Sequence, residues 1–446
     1  MKVAFVSLGC DKNLVDTEMM LGMLAEKGYT FTDDEEEAEA VVVNTCCFIG
    51  DAKEESIQTI LELAERRAAG RLKALVVAGC LAQRYAKEIR EDIPEVDAII
   101  GTMAIDRVAE ALESSCAGDR EDYITDPNVS LVYGKRRSVS TGGHYAYLKI
   151  GEGCDKRCTY CIIPKVRGSY RSVPIEALVE EAERLSEGGV KELILVAQET
   201  TVYGKDLYGR KALPELLHRL CRIEGLSWIR ILYCYPEEIT EELIQTIKEE
   251  PKICHYLDMP IQHASDRILR RMGRRTSQKE LRECIGTLRK EIPDICLRTT
   301  LISGFPGEDQ EDHIELYRFV NEMEFDRLGV FTYSQEEGTP AADMEGQIPQ
   351  EVKEARRAEL MELQQAIAFE KAEDAKDSAV TAIIEGRMEE EDVYVARTYR
   401  DAPGVDGLVF LHTSRTGLMS GDLVKVRITG SHEYDLIGEL ENESAE

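Results

Sequence analysis

No apolar run in this chain of 446 residues approaches the roughly 18 residues that a membrane span requires. Met1-Lys2 leads straight into Val3-Ala4-Phe5-Val6, without the charged-apolar-small layout of a signal peptide. A soluble, cytoplasmic protein that needs no membrane is therefore expected. Positive charge is scarce: 55 Lys and Arg stand against 85 Asp and Glu, a formal net charge of −30. That deficit argues against gripping a nucleic-acid backbone through bulk charge and favours a basic partner. Apolar residues are not scarce, at 43% of the chain beside 31% charged. Cores can form, wholesale disorder is excluded, and the length suits about three domains of roughly 150 residues. The 13 cysteines do not read as disulfides in a compartment that keeps thiols reduced. They are core residues, nucleophiles or metal ligands.

Three early segments share one shape, a short β-rich run that ends near a cysteine and precedes an amphipathic stretch. Val3 to Leu8 comes before Cys10, Ala40 to Val43 before Cys46, and Ala74 to Ala78 before Cys80. Thr17 to Lys27 and Glu54 to Ala69 lie between them at helical spacing. The pattern β-α-β-α-β predicts an α/β fold with a doubly wound parallel sheet over residues 1–130. All its strand C-termini lie on one edge, so cysteines 36 and 34 residues apart in sequence face one another. Residues 117 to 143 show little periodicity, and 131–143 read as a linker. Over 144–376, runs at Tyr147 to Ile150, Glu192 to Ala197, Ile229 to Tyr233, His255 to Met259, Ile295 to Ser303 and Leu328 to Tyr333 alternate with helical patterns. One helix is expected to open with Ser172 as cap and Pro174 in its first turn. Six β-α units without return hairpins predict a partial (β/α)6, TIM-like barrel with its site at the strand C-termini. A charged helix follows over 349 to 376, and 378–446 breaks into short strands, with turns at Pro403-Gly404 and Gly421-Asp422, as a small OB-like β-barrel does.

Gly151-Glu152-Gly153-Cys154-Asp155-Lys156-Arg157-Cys158-Thr159-Tyr160-Cys161 follows the first barrel strand directly. Iron–sulfur clusters are held by thiolates presented from such loops. Cys154, Cys158 and Cys161 can wrap three irons of a cubane and leave the fourth open, as a cluster that engages a ligand requires. The other strand ends carry Gln198-Glu199-Thr200, Tyr233-Cys234-Tyr235-Pro236, Asp258 to His263, Arg298-Thr299, Gly304 to Glu308 and Tyr333-Ser334. Among these, Glu199 suits an amino group and Arg298 a carboxylate. Cys10, Cys46 and Cys80 on one sheet edge suit a second cluster with a vacant iron, or a zinc ion with one water. Cys47 should point away from Cys46, because strand-like side chains alternate. Cys116, Cys221, Cys234, Cys254, Cys284 and Cys296 read as packing residues, and Asp33 to Glu39 and Glu389 to Asp392 as solvated turns.

The CxxxCxxC with Tyr160 before its last cysteine resembles the signature of the radical S-adenosylmethionine superfamily. That resemblance implies a [4Fe-4S] cluster and S-adenosylmethionine chelated to its unique iron. One-electron reduction then releases a 5′-deoxyadenosyl radical that abstracts hydrogen from an unactivated carbon, with Tyr160, Gln198, Glu199 and Arg298 as cofactor-binding candidates. Leu8-Gly9-Cys10-Asp11-Lys12-Asn13-Leu14-Val15-Asp16, Asn44-Thr45-Cys46 and Gly79-Cys80-Leu81-Ala82-Gln83-Arg84-Tyr85 are similar to the methylthiotransferase family over nearly the whole chain. Asp11-Lys12 is similar to the RimO-type branch, which acts on an aspartate of a small-subunit ribosomal protein (protein twelve); tRNA-modifying relatives usually carry Gln-Met there. Cys47 departs from the family, which more often has glycine. The resemblance implies two [4Fe-4S] clusters, a sulfur source, an electron donor, and 3-methylthioaspartate as product.

The tail from 378 resembles a TRAM domain. Its six basic residues against fourteen acidic ones give a net charge of −8, which repels phosphates and attracts a Lys/Arg-rich protein. Two other functions stand beside ribosomal-protein methylthiolation. A tRNA adenosine methylthiotransferase predicts a basic tail, and a non-catalytic iron–sulfur electron carrier leaves the polar strand ends without a role.

Overall fold

The structure is a computed structural model that describes residues 1–388 and 392–441. The first sheet has six parallel strands: β1 (Lys2–Ser7), β2 (Thr30–Phe31), β3 (Ala40–Thr45), β4 (Ala74–Gly79), β5 (Ala98–Ile100) and β6 (Glu121–Tyr123), in the order β2-β1-β3-β4-β5-β6. Alternation along the strands divides the core. Ala40 and Val42 pack with Val15, Met19 and Leu112 of helices α1 (Asp11–Glu26) and α4 (Val108–Ala117). Val41 and Val43 face the other way, onto Ile60 and Leu63 of α2 (Gly50–Ala68) and Leu81 and Ile89 of α3 (Cys80–Asp92). This is the expected doubly wound sheet with three further strands. Those three are only two or three residues long, too short to show a period. Glu121–Tyr123 falls where the sequence shows little periodicity, yet it closes the sheet edge against β5.

The central sheet is also parallel, with β7 (Tyr145–Lys149), β10 (Glu192–Val196), β11 (Trp228–Ile231), β12 (Ile253–Asp258), β13 (Cys296–Ser303) and β14 (Arg327–Thr332) in sequential order. The small ribbon β8 (Gly151–Glu152) and β9 (Arg171–Ser172) follows β7. The sheet is open, so β7 and β14 are its edges, and the first domain spans the gap between them. On one side Asp16 of α1 pairs with Lys149 of β7. On the other, Arg84 donates to Glu336 at 2.9 Å and Gly50 N–H to Ser334 at 3.0 Å, both just past β14. Ser172 does not cap the next helix, Ile175–Glu187, whose cap position is Pro174. Its hydroxyl donates to Asp206 at 2.6 Å while its backbone pairs with Gly151.

After the helix Gln350–Asp374 the tail forms a closed barrel of β15 (Ala379–Arg387), β16 (Val393–Thr398), β17 (Val409–His412), β18 (Leu423–His432) and β19 (Asp435–Leu440). It is fastened to the N-terminal ends of the central strands. Arg397 pairs with Glu192 at 2.7 Å, Asp401 with Arg327, and Arg400 with Asp326 at 2.6 Å. Several acids counted toward an attractive surface are therefore internal: Asp401 is buried, the Asp406 side chain is shielded on Arg298, and Glu385 accepts from Arg397. Glu389, Glu390, Glu391, Glu443 and Glu446 lie outside the described residues. Of the turn expected over Asp33 to Glu39, Asp33 to Glu37 is exposed, whereas Ala38 is buried and Glu39 half-buried. Cys116 departs from the packing expectation, being exposed at the end of α4 with its sulfur 3.5 Å from that of Met1. Among the described residues no helix is long and apolar enough to cross a membrane.

Candidate functional site

The loop that carries Cys154, Cys158 and Cys161 is held by its backbone. Gly153 has φ +78°, and a Cβ there would lie 2.2 Å from Ser169 O, so the turn into Cys154 requires glycine. Cys154 N–H donates to Gly168 O at 3.0 Å, Thr159 N–H to Met272 O at 2.9 Å, and Thr159 O accepts from Ala341 N–H at 2.8 Å. The chain thus wraps so that the three thiols share one space, where Cys158 opposes ionisation of Cys154 and of Cys161. Burial, followed by the charge of Cys158, drives the Cys161 thiol far up, and burial brings Cys154 to about 12. Cysteines so placed are inert as free thiols and gain most from a cationic centre that stabilises the thiolate.

The second trio is built by two glycines. Gly9 at φ +91° lies so close to Cys46 that a Cβ would meet Cys46 Cβ at 2.6 Å, and at Gly79 (φ +93°) it would meet Asn44 Oδ1 at 2.3 Å. Cys10 is the cap residue of α1, and Cys80 opens α3. Asn13 ties the loops together, donating to Leu8 O at 3.0 Å and Thr45 O at 2.9 Å. Cys10, Cys46 and Cys80 therefore gather at one sheet edge, and the Cys80 thiol is raised by burial, with Arg167 opposing and Cys47, Cys10 and Cys46 adding to the effect. Among the described residues no three His, Cys, Asp or Glu side chains close around a single ion. Cys47 is buried in the cluster that also holds Ile60, Leu81 and Cys80, and burial pushes its thiol to about 11.

One buried group of charges joins the trios. Arg167 lies six residues beyond Cys161, just after the short helix α5 (Ile163–Val166), and is 1% exposed. It donates to Asp16 at 3.1 Å, to Glu152 at 2.8 Å, and from Nε to Cys80 Sγ at 3.3 Å. Lys149 completes the group on Asp16 and Glu152. Burial alone would raise the Glu152 carboxyl, but Arg167 and Lys149 hold it well below the usual carboxylate range.

A second link uses the Asp11-Lys12 pair. Tyr233, at the end of β11, takes φ +61°, a conformation rare for a bulky residue and often found at functional sites. Its hydroxyl donates to Asp11 at 3.0 Å, its N–H to Asp258 at 3.1 Å, and Lys12 Nζ sits 3.3 Å from the ring centre.

Of the expected cofactor residues, three stand near the first trio. Tyr160 packs edge-on to Phe305, which meets Tyr333 in the same way. Gln198 donates to Glu152 at 2.7 Å and keeps its own buried oxygen without a partner. Glu199 is 2% exposed, and its Oε1 has no hydrogen-bond partner although Lys156 Nζ stands 3.5 Å away. Burial raises its carboxyl to about 7, with Lys156 opposing. Arg298 is not brought to this group. The strand does not end there but runs on to Ser303, and Arg298, its third residue, pairs with Asp258 at 2.9 Å and with Asp406 of the tail at 3.5 Å. The sequence marks Asp16 and Tyr233 only as members of longer motifs, and Arg167 and Lys149 not as site residues at all, since residues on separate elements share no spacing.

Known proteins resemble this arrangement at every level. Residues 2–101 match the uncharacterized protein family UPF0004, 148–320 the radical SAM superfamily, and 378–440 the TRAM domain. A ribosomal protein uS12 methylthiotransferase RimO of Lachnoclostridium phytofermentans is 60% identical over 441 residues, covering 99% of this chain and 100% of the relative. A protein of the same name from Trichlorobacter lovleyi is 52% identical over 98% of each. The chain belongs to the uS12 methylthiotransferase (RimO) family. The branch expected from Asp11-Lys12 is thus the one to which its relatives belong. The fold of this RimO-family chain is also similar to the radical S-adenosylmethionine methyltransferase TsrM from Kitasatospora setae, at TM-score 0.55 and 14% identity over 87% of this chain and 79% of that one.

Proposed function

We propose that this chain methylthiolates the β-carbon of an aspartate in ribosomal protein uS12, giving 3-methylthioaspartate. The observation that carries this reading is the facing of two cysteine trios across one buried ion group, in a chain 60% identical to a uS12 methylthiotransferase. Cys154, Cys158 and Cys161 would hold a [4Fe-4S] cluster beside S-adenosylmethionine, and Cys10, Cys46 and Cys80 a second. When bound, these groups supply one-electron reductive chemistry at the first trio and sulfur for transfer at the second, which a C–H bond without acidity requires.

The protein's own residues bind, orient and separate. Glu199 Oε1, which accepts no hydrogen bond and pairs with Lys156 only at 3.5 Å, is a buried acceptor for an ammonium group beside Cys154, and Lys156 keeps its carboxylate form accessible. The Tyr160, Phe305 and Tyr333 rings wall the loop with apolar surface and exclude water. Asp11 and Lys12 hold Tyr233 in its strained conformation at the strand ends. The acidic balance of the chain suits a basic protein substrate and disfavours tRNA. An electron donor and a sulfur source complete the reaction.

The test is anaerobic reconstitution with S-adenosylmethionine, a reductant, sulfide and either uS12 or tRNA. The expected result is a gain of about 46 Da on uS12, hydrogen exchanged for SCH3, with 5′-deoxyadenosine formed. Modification of tRNA with uS12 unchanged overturns the substrate, and no 5′-deoxyadenosine at all overturns the chemistry.

A further inference from the structure

We propose that Arg167 is a positioning residue of the second iron–sulfur centre, whose Nε–H bond to Cys80 Sγ raises that centre's reduction potential and ties its ligand to the loop of the first. The inference rests on the proposed occupancy of Cys10, Cys46 and Cys80. A guanidinium has five N–H donors in a fixed fork, and here each nitrogen is engaged. Nη1 reaches Asp16 and Glu152, Nη2 reaches Asn13 and Asp16, and Nε reaches the Cys80 sulfur at 3.3 Å. Asp16 and Glu152 are already balanced by one arginine and Lys149. The edge turned toward sulfur is therefore not needed for neutralisation. Among the described residues, Arg167 is the one cationic side chain hydrogen-bonded to any of the six site sulfurs. Hydrogen bonds to ligand sulfurs and burial set cluster potentials. A buried cation donating to a thiolate favours the reduced centre, which carries the extra negative charge.

Position adds a second consequence. Arg167 N–H is bonded to Ile163 O at 2.8 Å, and Val166 O accepts from Thr102 of the first domain at 2.9 Å. The segment that descends from Cys161 is thus pinned to the first domain at the point where its guanidinium touches a ligand of the other trio. The spacing of the two centres is set by a short covalent path and one N–H···S contact.

The experiment uses the full chain with Cys154, Cys158 and Cys161 replaced by alanine, reconstituted anaerobically so that only the second centre remains. Iron content and an EPR-monitored redox titration are compared with and without Arg167→Lys or Arg167→Met. The expected result is about four irons per chain throughout, with the midpoint moved to more negative potential in both variants, furthest in Arg167→Met. Should both variants fail to fold, the parent labelled with nitrogen-15 arginine decides by pulsed EPR: an arginine nitrogen coupling on the reduced centre is expected. Full iron with an unmoved midpoint, or no such coupling, overturns the inference alone. No iron in the parent overturns the second-centre assignment and the inference with it.

Discussion

Replacing Glu192 with glutamine should loosen the tail from the central barrel. Glu192 is fully buried at the start of β10, where its two oxygens accept from Arg230 Nε and Arg397 Nη2, each at 2.7 Å. An amide has one acceptor end, so the other end meets a guanidinium as donor against donor. Arg397 retains Glu385 at 2.6 Å and the Asp401 carbonyl at 2.8 Å. Arg230 keeps only the Tyr399 carbonyl, at 2.6 Å, and the face of Tyr256, and its Nη2 already lacks a partner. Breaking a buried pair costs about 3 to 5 kcal/mol; the surviving Glu385 contact places this case near the lower end, about 3 kcal/mol. That is a factor of roughly 100 in the ratio of docked to undocked tail. Hydrogen–deuterium exchange should show β10 and β16 losing protection together while the first domain is unchanged. The pH dependence supplies a sign. Burial pushes the Glu192 carboxyl up, but Arg230 and Arg397 outweigh it and hold it below its ordinary value. Its contribution is present in full above the ordinary carboxylate pKa and is lost as pH falls through the lower folded value. The difference between parent and variant should therefore shrink on acidification. A penalty under about 1 kcal/mol at neutral pH would refute the reasoning.

Other substitutions address the two trios. Gly9→Ala forces a Cβ against Cys46 and into an unfavourable φ, and should lower the iron held by the second trio while the first trio's share is kept, read by iron analysis. Cys47→Ala should leave iron content unchanged, since it is Cys46 whose Cβ and sulfur lie against Gly9 beside Cys10; a loss of about four irons would make Cys47 the ligand in place of Cys46. Glu199→Gln should weaken S-adenosylmethionine binding about tenfold by calorimetry, the value of one charge-assisted hydrogen bond. In the parent that binding should weaken as pH falls through about 7, where the Glu199 carboxyl gains its proton. Tyr233→Phe removes the hydroxyl bond to Asp11 and should destabilise the joint between first domain and barrel by about 1 kcal/mol, seen as increased exchange in α1.

What could be read before folding was whatever is local or set by topology. CxxxCxxC is written in eight consecutive residues. The convergence of Cys10, Cys46 and Cys80 follows from the rule that parallel strands end on one edge. Arg298 shows the limit: its strand continues five residues past it, and polarity alone did not mark the end. Ser172 shows another, because a hydroxyl near a proline suits a cap equally well as a bond to a distant carboxylate, here Asp206. Arg167, Lys149 and the roles of the motif residues Asp16 and Glu152 were illegible for a deeper reason. Each is unremarkable in its own segment, and their meaning arises only where two domains meet.

A recognition module on a slack tether changes only how often its cargo is nearby. The tail barrel described above is bolted to the underside of its neighbour by paired ions, so it acts as a ruler. Anything bound there would be held at a set reach from the cysteine rim, a reach fixed by the ion pairs and not by the length of the connecting helix.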